Sequence, residues 1–244
     1  LIRFLFRLAW LAGLILLCVP LHLLWRLFRA HSPWPQRFLG WCARACGMRA
    51  TIVGERAPGT ILFASNHQSW MDILLIGGAT GASFVSKETV RRWPIAGWLA
   101  TMVGTIYIAN SDRRAAGAQA ERIREALHEG KSVAFFPEGR LNNGTLQPFR
   151  PALFGAVIPP VDHISVQPIA LDYGDNRMEL IWPSGSHAAT NARSIFARRG
   201  VEDVTIHLLD PIAIDENSHR KDIAEQCGAI IANALGQRIE QPQE

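Results

Sequence analysis

The stretch "TILFASNHQSWMDILLIGGAT", residues 60–80, decides the fold. Its first six residues form a short, almost wholly apolar run, which reads as a strand buried on both faces. The composition then turns abruptly polar at Asn66, His67 and Gln68. From Trp70 an apolar segment of helical length follows, with Gly77 and Gly78 as its expected stop. A buried strand running straight into a helix is the repeating unit of an α/β domain with a parallel sheet.

The rest of the chain repeats that unit. "ATIVGE", "ASFVSK", "TIYIA", "SVAFFPEG", "ISVQPIALDYG", "MELIWP" and "DVTIHLLDPIAI" read as further strands. "DRRAAGAQAERIREALHEG" reads as a helix with Ile123, Ala126 and Leu127 on one face and Gly130 at its stop. Pro94 breaks "ETVRRWPIAGWLATMVG" into two helical pieces, and "NSHRKDIAEQCGAIIANALGQRI" closes the chain as a helix. The expectation is an α/β domain over residues 49–244, a largely parallel sheet flanked by helices. No internal repeat interrupts it.

Residues 1–48 differ. Leu8 to Trp25 contains no Lys, Arg, Asp or Glu, and this length lies at the lower edge of what crosses a hydrocarbon core. Pro20 and His22 interrupt it. Arg3 and Arg7 flank it on one side, Arg26 and Arg29 on the other, so charge asymmetry gives no orientation. Trp10 and Trp25 stand where interfacial anchors would. A signal peptide and a buried core helix are the alternatives, but the small-residue cleavage pattern is missing after Pro20. A membrane-anchoring helical segment, spanning or lying in the interface, is the expected reading. The chain opens on Leu1, which leaves room for residues before it. The next segment, "QRFLGWCARACGM", has helical spacing and suits either the membrane surface or packing on the domain.

Bulk composition bounds the function. Of 244 residues, 48% are hydrophobic and 19% charged, which excludes a disordered chain. The net charge of +4 suits an anionic surface or substrate and is too small to argue for nucleic acid. Cys18, Cys42, Cys46 and Cys227 form no CxxC pair, and no His cluster joins them, so no metal site is expected. Free cysteines with apolar neighbours fit a reducing compartment.

Two loops carry the chemistry. On an unbroken helix His67 and Asp72 would point about 140° apart. They can meet only if His67 lies in the turn before the helix and Asp72 inside it, with Ser65 or Asn66 as a cap. The carboxylate would then hold one imidazole nitrogen and leave the other free as a base. No GxSxG elbow supplies a nucleophile, so the nucleophile would be a substrate hydroxyl. A capped helix with a surface histidine would explain the pattern equally simply. The second loop is "FFPEGRLNNGTLQPFRPALF". Gly139 lets the backbone approach a ligand, and Arg140 can hold an anion in fork geometry. An ordinary turn with a solvated salt bridge is its plain alternative. Both loops leave the carboxyl ends of apolar strands, which is where α/β sheets place their sites.

Together, "NHQSWMD" and "FPEGR" behind an apolar N-terminus resemble the glycerolipid acyltransferase family, which includes the 1-acylglycerol-3-phosphate acyltransferases. The resemblance runs from about Thr51 to Asp172. It implies His67 as the base for the acceptor hydroxyl and Asp72 as the residue orienting it. It implies a substrate-binding role for Asn66, Glu138 and Gly139. Lys87, with Arg91 or Arg92, would meet a phosphate, carrier or headgroup. Pro168 matches a weak later signature.

Two departures stand out. The family's G-x-x-F-I-D-R appears as "GTIYIAN", with Ala109 and Asn110 in place of the acid and the arginine. Its FPEGTRS appears as "FPEGRLN", with Arg140 at the threonine position and Leu141 at the arginine position. Arg113, Arg114, Arg140 and Arg150 are the candidate substitutes. The second loop is also similar to a form found in lyso-ornithine lipid acyltransferases.

The implied reaction moves a fatty acyl group from acyl carrier protein or coenzyme A to a lysolipid hydroxyl. Lysophosphatidate giving phosphatidic acid is the leading acceptor, and lyso-ornithine lipid the alternative. Thioester hydrolysis and a catalytically inactive lipid-binding protein are the rivals. No cofactor beyond the thioester co-substrate is implied. Partners would be membrane lipids and the thioester carrier, with the domain on the cytoplasmic face of the membrane.

Overall fold

A computed structural model describes residues 1–28, 32–108, 116–139, 141, 144–174, 180–182 and 187–239. Seven strands form one sheet: β1 (Met48–Val53), β2 (Thr60–Ser65), β3 (Ser83–Lys87), β4 (Ile106–Ile108), β5 (Val133–Phe135), β6 (Ile164–Asp172) and β7 (Glu202–Leu208). The order across the sheet is β1-β7-β6-β2-β5-β3-β4. Every pairing is parallel except β6 with β7. Thus β7 and its edge neighbour β1 run opposite to the other five strands.

The central strands are apolar because helices cover both faces. In β2, Ile61, Leu62, Phe63 and Ala64 are all fully buried. Their side chains alternate between two core clusters, Ile61 and Phe63 in one, Leu62 and Ala64 in the other. The helices are α1 (Ile2–Leu27), α2 (Trp34–Ala45), α3 (Met71–Thr80), α4 (Glu88–Arg91), α5 (Ala96–Met102), α6 (Ala116–His128), α7 (Ala188–Ala197) and α8 (Arg220–Ala234). A 3-10 helix covers Ala152–Val157. As its pattern predicts, α6 buries Ile123 and Leu127.

Three expectations need correction. Gly77 and Gly78 do not end α3, which continues to Thr80 and stops at the left-handed Gly81. The two glycines instead face α2. A Cβ on Gly78 would lie 2.6 Å from Gly40 Cα, and one on Gly77 would lie 2.4 Å from Leu39 Cδ1. They are small because two helix backbones meet there. "MELIWP" adds no strand over its described residues 180–182. Leu180 joins the core from outside the sheet, and the Trp182 N–H donates to Gln68 O at 3.0 Å. Neither Ser65 nor Asn66 caps α3, which starts at Met71 without a side-chain cap.

The amphipathic segment after the N-terminal helix packs on the domain. Ala43 and Cys46 enter the main core cluster. Helix α1 is the one helix among the described residues that is long and apolar enough to cross a membrane. It buries only the face formed by Arg7, Leu14, Cys18 and His22. Arg7 Nη1 donates to Ile195 O in α7 at 2.6 Å. The opposite face leaves Leu16, Leu17, Leu23 and Leu24 uncovered, which a core helix would not do.

Candidate active site

The sheet register sets the site. Ala64 of β2 lies opposite Phe135 of β5, so His67 and Glu138 each stand three residues beyond one matched pair. Ser65 lies opposite Ile169, which brings the end of β6 to the other side of the same loop. Hence the two chemistry-bearing loops, distant in sequence, share one sheet edge.

His67 occupies the turn before α3, and Asp72 lies in its first turn. His67 Nδ1 is 2.8 Å from Asp72 Oδ2. A carboxylate only accepts, so Nδ1 carries the hydrogen and Nε2 is left as the basic nitrogen. Asp72 is fully buried. Its Oδ2 also accepts from the Gln68 and Ser69 N–H groups at 2.7 and 2.9 Å. Its Oδ1 accepts from the Tyr173 hydroxyl. The imidazole stacks on Phe136 with ring centroids 3.9 Å apart. Its side chain keeps 18% of its surface open, so the ring is held yet reachable.

Glu138 is buried and joins the loops. One carboxylate oxygen accepts from His67 N–H at 2.7 Å, and the other from Gln147 N–H at 3.0 Å. Gly139 has φ 71°, and a Cβ there would come within 3.1 Å of the Arg150 guanidinium. Arg150, an exposed side chain, therefore lies directly over the turn next to Glu138.

Asn66 is placed differently from the substrate-facing role the resemblance implies. Its amide is buried and bridges to β6, donating to Leu171 O at 3.0 Å and accepting from Leu171 N–H at 2.8 Å. Lys87 is exposed at the carboxyl end of β3. Arg91 pairs with Glu88 at 3.3 Å and lies over the Tyr107 ring. Arg113, Arg114 and Arg140, like Ala109 and Asn110, lie outside the described residues. Sequence reasoning missed Tyr173, because nothing in its local pattern points to a carboxylate 101 residues away.

Beside the dyad opens an apolar cleft of about 440 Å³. Trp70 and Ile73 of α3, Phe84, Trp93, Leu99 and Phe196 are among its walls. Phe84 stacks behind Phe136 with centroids 6.2 Å apart, so one aromatic layer separates cleft and imidazole. No cluster of metal-ligating side chains occurs among the described residues.

A His–Asp pair with a buried carboxylate and a reachable imidazole, beside an apolar cleft, suits transfer chemistry on a lipid. Comparisons with known proteins give the family. The Acyltransferase family model matches residues 49–172, and the chain belongs to that family. It is 30% identical to a lyso-ornithine lipid O-acyltransferase of Rhodobacter capsulatus, over 90% of this chain and 85% of that one. It is 34% identical to a protein of the same name from Pseudomonas aeruginosa, over 80% and 76%. A 1-acyl-sn-glycerol-3-phosphate acyltransferase of Neisseria meningitidis is 35% identical over 48% of this chain and 46% of its own. Among solved structures, the 1-acyl-sn-glycerophosphate acyltransferase of Thermotoga maritima shares the fold, with TM-score 0.63 and 20% identity, over 84% of this chain and 80% of that one. The chain is thus an acyltransferase of the lysolipid type.

Proposed function

We propose that this chain transfers a fatty acyl group from a thioester to the free hydroxyl of a lysolipid, with lyso-ornithine lipid as the acceptor. The observation that carries the reaction is the His67–Asp72 contact of 2.8 Å, with Nε2 unengaged among the described residues, beside the apolar cleft. His67 Nε2 takes the hydroxyl proton as the oxygen attacks the thioester carbonyl. Asp72 holds the ring and balances the imidazolium that forms. The same proton then returns to the leaving thiolate. Acyl carrier protein or coenzyme A serves as donor, and the chemistry calls for no metal.

The apolar cleft takes an acyl chain, each buried methylene stabilising by about 0.8 kcal/mol. The apolar face of helix α1 supports a site held at the membrane surface, where the lysolipid resides, and a cytoplasmic thioester carrier requires the domain on that side. Two observations favour the lyso-ornithine acceptor. Relatives of that name match most of the chain. The motif arginines expected to grip a phosphate are replaced by Asn110 and Leu141. Arg150, laid over Gly139, is the cation for the headgroup carboxylate. Lysophosphatidate is the second reading, favoured by the Neisseria relative.

The test offers lyso-ornithine lipid and lysophosphatidate side by side to membrane-embedded protein, with acyl carrier protein and coenzyme A thioesters. Transfer to lyso-ornithine lipid that vanishes in His67→Ala is the expected result. His67-dependent transfer confined to lysophosphatidate moves the acceptor to the second reading. Release of free fatty acid alone overturns acyl transfer in favour of hydrolysis. No His67-dependent product with any pair means a lipid-binding protein.

A further inference from the structure

We infer that Tyr173 is a positioning residue of the reaction, acting through the second oxygen of Asp72 to set how readily His67 gives up its proton. The inference rests on the acyl-transfer reading above. Tyr173 follows directly on the end of β6, and its ring is 3% exposed within the main core cluster. Its hydroxyl donates to Asp72 Oδ1, the oxygen that faces away from the imidazole. Among the described residues, the donors to Oδ2 come from the His67–Ser69 turn itself. Tyr173 is the donor to Asp72 from a different strand end, so it fixes the carboxylate plane relative to the sheet.

The hydrogen bond also governs charge. A carboxylate that accepts four hydrogen bonds spreads its negative charge over all of them. Less of it then acts on the imidazolium. Remove the phenol, and Oδ1 faces an apolar core with no donor. The remaining charge concentrates on the His67 side and holds the imidazolium more tightly.

Burial pushes the phenol well above its ordinary titration range, and the Asp72 charge pushes it further. It therefore stays an O–H donor throughout the working pH range. Among the described residues, the ionisable groups nearest the pair are Glu138, whose carboxylate holds His67 N–H, and Arg150 over Gly139. Neither touches Oδ1 among the described contacts. Tyr173→Phe removes one oxygen and leaves both of them in place.

The decisive measurement is the pH profile of kcat/KM for Tyr173→Phe against the unaltered enzyme in mild detergent. The acid limb is expected to move up by about half to one pH unit. On the plateau, kcat should fall several-fold while the acceptor KM stays unchanged. 3-Fluorotyrosine at position 173, of nearly the same volume but more acidic, should move the limb the opposite way. It keeps the test valid if the Phe variant folds poorly. An acid limb that stays put in both proteins overturns the inference, as does a loss confined to thermal stability. If the unaltered enzyme shows no His67-dependent transfer, the functional reading itself fails, and that outcome is visible before Tyr173 is touched.

Discussion

At Asp72 four hydrogen bonds converge on one carboxylate. In the neighbouring cleft, Phe84, Leu99, Val103 and Phe196 have no polar atoms in their side chains and are held by contact alone. The first arrangement is directional. Each donor has one angle and one distance at which it works, and a buried acceptor that loses a donor is penalised in full. The second is non-directional, and hydrophobic surfaces of similar volume can replace one another at small cost. One thus suits a fixed chemical step, and the other suits a chain whose length can vary.

Asp72→Asn should give the largest break in that contrast. The amide oxygen can still face the turn, but the negative charge behind the imidazolium is gone. Acyl transfer is expected to fall by about three orders of magnitude, with the fold retained. Initial rates and thermal melts together check it, and a loss under tenfold would mean that the carboxylate is not the partner of the base. Leu99→Trp tests the second arrangement. It fills the cleft without touching the dyad, so total turnover should persist while the product profile shifts to shorter chains. The ratio of long- to short-chain transfer should fall about tenfold. An unchanged chain-length profile would remove the cleft from acyl binding.

The smallest effect concerns the thiols of Cys42 on α2 and Cys46 just past its end; Phe38 and Leu39 of that helix also line the cleft. Burial pushes the Cys46 thiol up to about 12 and raises Cys42 further. In the unfolded chain these thiols ionise near 9, while the folded chain keeps them protonated. Above that pH the folded state binds more protons than the unfolded one, so stability falls as pH rises. The slope is at most about 1.4 kcal/mol per pH unit for each thiol. Thermal melts from pH 8 to 10.5 should show this decline, shallower in Cys46→Ala. Identical slopes would show that Cys46 does not carry it.

Much of this was legible in the sequence, and for a reason. Strands buried on both faces read as apolar runs, so "TILFA" and "SVAFF" announce β2 and β5. Loops that carry chemistry stand out against such runs, and His67, Asp72 and Glu138 were visible for that reason. What stayed hidden depends on adjacency between distant segments. Tyr173 meets Asp72 only because β6 is the neighbour of β2. The reversal of β7 is likewise a property of the pairing, since its residues look the same in either direction. Gly77 and Gly78 looked like a helix stop because no local signal distinguishes a glycine that ends a helix from one that admits a second helix.

That glycine contact sets a height. α2 meets α1 along its buried Cys42 and Ala45, and meets α3 backbone to backbone at Gly40 and Gly78. Asp72 sits in the first turn of that same α3. The apolar helix and the dyad are therefore coupled through packed contacts, like rungs of one frame. If α1 settles in a lipid leaflet, the imidazole is carried to a matching level. The altitude at which a lipid hydroxyl can be reached is in this way a dimension of the fold.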